Sequence, residues 1–325
     1  MGKHVDERED APRARARAVV ALALAALAAA VVLAGLGVGE EPGALSNWQA
    51  LVLGLVQGLT ELLPISSSGH LVLVPWLADW RYLREHDEFN HTFDVALHLG
   101  TLVAVVGYFR RELAVLLAAW ARSARARSIR DPDERLAWAV VVATVPAVVI
   151  GAAAQGVIAS RLGEPWQIAI LLAVFGVVLW LADRRPATRD LRSVGIPAAL
   201  AVGVAQALAL APGVSRSGVT ISAGRLLGLD RDGAARLSFL LLVPVTLGAV
   251  ALKGITDVLL ADLPPGTVGP FVVGTLAAAV SGLAAISALL GYVRRRDYSP
   301  FVVYRLLVAA VVLGVIASGV REPGF

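Results

Sequence analysis

Apolar residues along this chain fall into long unbroken runs, without the alternation of a half-buried strand or the narrow stripe of a soluble helix. The runs at 18–38 and 168–182 carry no charge and approach or reach the ~20 residues that cross a bilayer as a helix. The pattern predicts spanning helices at about 18–39, 93–109, 137–159, 166–183, 234–252, 268–293 and 300–319. The short alternating segments of a membrane β-barrel are absent. The expected fold class is therefore an all-α integral membrane protein with about seven transmembrane helices. One lies in an N-terminal extension, 1–45, and the others form a polytopic domain over 46–325. Arg13, Arg15 and Arg17 precede the first run. That run exceeds the about 7–15 residues of a signal-peptide core, so it is read as a retained helix.

Two apolar stretches depart from the pattern. Residues 46–78 are interrupted by Pro64 and by Ser66-Ser67-Ser68-Gly69, and residues 196–228 by Pro212-Gly213 and Ser215-Arg216-Ser217-Gly218. Proline removes a helical donor and glycine loosens the turn. A polar break at membrane depth is tolerated only where protein or a wet cavity surrounds it. Each stretch is read as a re-entrant hairpin of two half-helices.

Charge fixes the expected orientation. Arg110, Arg111, Arg122, Arg125, Arg127, Arg130 and Arg135 fill one loop region, Arg184, Arg185, Arg189 and Arg192 a second, and Arg294, Arg295 and Arg296 a third. The positive-inside rule places these loops and the N-terminus in the cytoplasm. The loops at about 160–165 and 254–267 are poor in Lys and Arg and go outside. The assignment closes only if each broken stretch enters and leaves on one side, the first from outside and the second from inside.

An internal repeat agrees. At one constant offset Gly54 matches Gly203, Gln57 matches Gln206, Ser66 matches Ser215, Ser68 matches Ser217 and Gly69 matches Gly218. Halves at about 46–160 and 196–319 would form an inverted-topology repeat. Such repeats place a site near the midplane, where half-helix termini favour anions.

Composition narrows the chemistry. The chain has no Cys, which excludes disulfide and thiolate chemistry, and its five His are too scattered for an HExxH zinc motif. The net charge of +4 comes from basic loops between apolar runs, so no nucleic-acid partner is expected. Glu61, His70 and Arg216 are ionisable groups placed inside the membrane, where such groups are costly and mark function. Glu61 and Arg216 either pair to hold the hairpins together or serve chemistry, and the hydroxyl clusters beside them favour the second. Gln57 and Glu61 share a helix face, and their oxygens could hold a divalent cation, Mg²⁺ or Ca²⁺. Gln57 serves equally well as a helix–helix hydrogen-bonding group. One of Ser66, Ser67 and Ser68 is the expected nucleophile, with His70 nearby as a base. Arg216, with Ser215, Ser217 and Thr220, reads as a phosphate cradle. Asp94 and His98 either line the mouth of the site or hydrogen-bond at the interface. Trp76, Trp80 and Tyr82 look like an interfacial belt.

At these residues the chain resembles the bacitracin-resistance family of undecaprenyl-diphosphatases. The first motif runs Gln57-Gly-Leu-Thr-Glu61-Leu-Leu-Pro64-Ile-Ser-Ser-Ser-Gly-His70 and the second Pro212-Gly-Val-Ser-Arg-Ser-Gly-Val-Thr220. The likeness continues through 93–101, 239–248 and 300–305 and covers about 46–319. It implies hydrolysis of undecaprenyl diphosphate to the monophosphate in the bacterial plasma membrane, at a site open to the outer side. It implies Ser67 as nucleophile, Glu61 and His70 as required groups, Arg216 as diphosphate anchor, and divalent-cation dependence. Ser66, Ser68, Ser215, Ser217 and Thr220 are the expected substrate-binding hydroxyls, and Gln57 with Glu61 the metal ligands. Many members carry Glu at the position of Gln57, so weaker metal affinity is expected here. The partners expected are the polyprenyl lipid and membrane lipids, with a homodimer as one allowed assembly.

Two rivals have physical content. Inverted repeats with broken helices are also a transporter device, so a flippase or anion carrier could use the same cradle. A phosphatidic-acid-phosphatase-like enzyme would share Ser68-Gly69-His70 but needs a later histidine, and no His follows His98.

Overall fold

A computed structural model describes residues 44–80, 82–253 and 267–323. The helix expected at 18–39 lies outside the described residues. Among them the chain is helical throughout. Its elements are α1 (Asn47–Leu62), α2 (Ser67–Ala78), α3 (Tyr82–Glu85), α4 (Asp87–Ala126), α5 (Pro132–Arg161) and α6 (Pro165–Asp183). There follow α7 (Ile196–Ala207), α8 (Arg216–Leu226), α9 (Arg231–Lys253), α10 (Val268–Val293) and α11 (Ser299–Ala317). Five of these, α5, α6, α9, α10 and α11, contain stretches long and apolar enough to cross a membrane.

Local chemistry sets the ends. Ser46 and Gln49 form a capping box at the start of α1. Asp131 caps α5 by accepting the Glu134 N–H at 2.9 Å, which holds its carboxyl below the usual range, and Pro132 follows at the first helical position. The expected span 93–109 is part of the 40-residue α4, about 60 Å long. Hydropathy registers only its apolar half. The Ala-, Leu- and Arg-rich remainder keeps good helix formers with no breaker until Arg127, which takes a left-handed conformation.

The basic loops gather at one end of the bundle. Arg122 lies 3.6 Å from Asp131, Arg192 3.5 Å from Asp133, Arg236 3.2 Å from Glu112 and Arg294 2.9 Å from Asp232. Asp183 stitches the same end from within, accepting from Arg225, Arg231 and the Tyr298 N–H. At the opposite end an apolar cluster joins Leu45, before α1, to Trp80 and Tyr82, after α2, and to Phe89 and Phe271. Large apolar side chains such as Val103, Leu117, Val149, Leu181, Val268 and Leu307 are exposed around the sides.

The helices exchange partners between the halves. α1 packs along α10, and α7 along α5. Both crossings depend on glycine at the same repeat position. A Cβ on Gly54 would lie 2.3 Å from the Gly274 carbonyl oxygen, and one on Gly203 would lie 2.4 Å from that of Ala143. Close backbone approach of this kind is how membrane helices associate without a hydrophobic drive.

Candidate active site

Both broken stretches break in the same way. α1 ends at Leu62 and α2 restarts at Ser67; α7 ends at Ala207 and, after a short turn at Leu208–Leu210, α8 restarts at Arg216. The residues before the restarts, Ser66 and Ser215, have φ of 77° and 74°, a strained region for a residue with a side chain. Each serine compensates by capping its helix. Ser66 Oγ accepts from Gly69 N at 3.4 Å and Ser215 Oγ from Gly218 N at 3.0 Å. The same serine cap thus recurs at both tips.

The tips meet. Gly213 N donates to Ser66 Oγ at 3.2 Å and Ser217 Oγ donates to the Leu63 carbonyl at 2.9 Å. Arg305, fully buried on α11, holds both tips. Its guanidinium donates to the carbonyls of Pro64 on one tip, Gly213 and Val214 on the other, and Leu171 and Leu172 of α6. It satisfies backbone groups that the broken helices leave unpaired. Sequence reasoning missed this residue. Its signal was available, as a lone arginine seven positions into the apolar run of α11.

A cavity of about 350 Å³ opens beside the tips. Its polar wall holds Glu61, Ser67, Ser68, Ser215 and Arg216, joined by His91, Asp94 and His98 of α4 and by Gln206 of α7. Its apolar wall includes Val245, Ala249 and Val250 of α9. Ser67 and Arg216 are the first residues of α2 and α8, so two helix N-termini converge on it.

Glu61 is the hub. Ser67 Oγ donates to its Oε2 in a short hydrogen bond. Arg216 donates to its Oε1 through Nε at 3.3 Å and Nη2 at 3.1 Å, and anchors Nη1 on the Ser238 carbonyl at 2.9 Å. Gln57 Nε2 lies 3.4 Å from Oε2, while Gln57 Oε1 is buried without a hydrogen-bond partner. His98 Nε2 stands 3.8 Å from Oε2. His98 Nδ1 lies 2.7 Å from the Asp94 carbonyl, which can only accept, so Nδ1 is the donor there and Nε2 faces Glu61.

The other expected residues lie elsewhere. His70 is turned out of the cavity. Its Nδ1 meets the Ser66 carbonyl at 2.7 Å, its Nε2 meets Tyr304 Oη at 2.8 Å, and its ring stacks on Tyr304. Thr220 lies behind Arg216, bonded to the Arg216 carbonyl at 2.7 Å and to Ser238 Oγ at 2.8 Å. Ser66 and Ser217 are taken up in tip-to-tip bonds, so Ser67, Ser68 and Ser215 are the motif serines that line the cavity. Linear spacing set His70 beside the serines; its ring is instead taken up by Tyr304 of α11, and His98 comes in from α4.

The family model for the bacitracin resistance protein BacA matches residues 50–311. The chain belongs to this family. Among curated members, the undecaprenyl-diphosphatase of Pelotomaculum thermopropionicum is 43% identical over 283 residues, covering 86% of this chain and all of the relative. That of Gemmatimonas aurantiaca is 45% identical over 276 residues, covering 84% and 99%. That of Thermomicrobium roseum is 45% identical over 282 residues, covering 84% and 99%. The bacitracin resistance match takes in both helix breaks and every residue named around the cavity.

Proposed function

We propose that this chain hydrolyses undecaprenyl diphosphate to undecaprenyl phosphate and inorganic phosphate, recycling the cell-wall lipid carrier and conferring bacitracin resistance. The observation that carries the reading is the Ser67–Glu61–Arg216 chain at the meeting point of two helix N-termini. A nucleophile bonded to a carboxylate, beside a fixed guanidinium, is equipment for phosphoryl transfer. The cavity admits a diphosphate and the first isoprene units; the rest of a C55 tail lies against the apolar flank in lipid.

In the scheme, Arg216, Ser215 and the first N–H groups of α2 and α8 take the charge of the diphosphate. Glu61 accepts the Ser67 hydroxyl proton as Oγ attacks the terminal phosphorus. The bond to the bridging oxygen breaks, and lipid monophosphate leaves. The departing monophosphate takes the proton from Glu61. Water then attacks phosphoserine and gives a proton to Glu61, the P–Oγ bond breaks, inorganic phosphate leaves, and Glu61 returns the proton to Ser67 Oγ. His70 acts through Ser66 and Tyr304, holding the tip in shape. A divalent cation, if bound, would be held by Glu61 and by Gln57 through its unpartnered Oε1. When bound it supplies charge neutralisation to the phosphoryl oxygens. Every group in this scheme belongs to one chain, so the reaction does not depend on a homodimer.

The same reading makes 46–78 and 196–228 re-entrant hairpins of an inverted repeat in the bacterial plasma membrane, with the basic end in the cytoplasm. The supporting contacts are those that bring Leu45, Trp80 and Tyr82 together at the apolar end and tie Arg225 to Asp183 at the basic end. His91 and Asp94, on the early turns of α4, then put the mouth of the cavity towards the outer side.

The test is phosphate release from C55 diphosphate by purified protein in detergent. Wild type is expected to turn over, with Glu61→Ala and Arg216→Ala at least about a thousandfold slower. Equal rates in all three would remove this site. A protein that moves the lipid across vesicles without cutting it would be a flippase instead.

A further inference from the structure

We infer that Gln206 is a direct ligand of the diphosphate, its side-chain amide donating to a phosphoryl oxygen. Gln206 sits in the last turn of α7 and is 98% buried, with a relative exposure of 2%, yet it lines the cavity. Neither Nε2 nor Oε1 has a hydrogen-bond partner. A carboxamide offers two donors and two acceptor sites, and burying it unpaired costs free energy unless something in the cavity bonds to it.

The repeat explains why this side chain is left free. Its counterpart Gln57 has a carboxylate one helical turn on and donates to it, through Nε2 and Glu61 Oε2. The residue one turn after Gln206 is Leu210, which accepts nothing. The second hairpin therefore keeps the glutamine and lacks its partner. The group that supplies acceptors in this cavity has to be anionic, because Arg216 and the amide ends of α2 and α8 face the same space. An amide donor completes the set that Arg216 and Ser215 begin. The inference rests on the diphosphate reading of the cavity and names a contact within it.

Binding and turnover are measured separately on the full chain in detergent, with farnesyl methylenediphosphonate as the binding probe and C55 diphosphate as substrate. Gln206→Leu is expected to weaken probe binding about tenfold or more, with KM rising more than kcat falls and thermal stability unchanged or raised. Gln206→Glu, which sets a carboxylate against the anion, is expected to weaken it further. Wild-type binding and KM in Gln206→Leu would mean that only water meets this side chain, and would overturn the inference while the hydrolase reading stands. Retained or tighter binding in Gln206→Glu would make Gln206 a cation ligand and overturn it also. Gln206-dependent binding by a wild type that releases no phosphate would uphold the contact and sink the hydrolase.

Discussion

At the residue scale, the paired charges and the orphaned amides do different work. Arg216 and Glu61 are 13% and 7% exposed, so removing one leaves the other nearly dry. Arg216→Ala is expected to lower stability by about 3–5 kcal/mol as well as abolish turnover, read as the thermal midpoint in detergent. Ser67→Ala is expected to lose phosphate release and any acid-quenched phosphoserine, whereas Ser68→Ala keeps both. Full turnover by Ser67→Ala would transfer the attack to water. His98→Gln and His70→Gln are both expected to lower kcat in detergent, the first by changing the group 3.8 Å from Glu61 and the second by loosening the Ser66 tip. Gln57 and Glu61 were legible as a pair because four residues set them on one face. Gln206 was legible only as a repeat match, since its lack of a partner depends on what surrounds it.

At the element scale, the broken helices hold their shape through small residues and one large cation. Gly54→Ala and Gly203→Ala press a methyl into a facing carbonyl at 2.3 and 2.4 Å and are each expected to cost about 1–3 kcal/mol. Gly107→Ala, with nothing within 4 Å of the added carbon, is the control and should be neutral or slightly stabilising. Arg305→Met leaves five carbonyls without their donor and is expected to cost about 3 kcal/mol or more. Arg305→Lys should restore only part, because a point ammonium cannot reach carbonyls on two tips and α6 together. Loss of turnover in Arg305→Met at a temperature where the protein remains folded would mark it as a positioning residue. Unchanged stability and rate would mean the tips hold without it.

For the whole molecule, these four ion pairs and the Asp183 network mark one end, and the cluster of Leu45, Trp80, Phe89 and Phe271 marks the other. The chain has no native cysteine, so single replacements report orientation directly. Arg295→Cys at the basic end is expected to react with an impermeant maleimide only after cell lysis. Glu322→Cys, next to the Trp76 end, should react in spheroplasts. The opposite pattern would invert the proposed topology and put the mouth of the cavity in the cytoplasm.

The sequence alone determined the membrane class, the spans carried by α5, α6, α9, α10 and α11, and the two breaks, because hydropathy, proline and arginine placement act locally and need no partner. The matching serines of the two segments were legible as well, and each caps a restarting helix. Which residues share the cavity was decided by tertiary structure. Ser67 and His70 both follow the break on α2, yet Ser67 meets Glu61 while the His70 ring turns to Tyr304 of α11. Bundle packing brings His98, Gln206 and Arg305 to the tips from three other helices. No linear spacing encodes those meetings, because they depend on how closely Gly54 and Gly203 let the backbones approach.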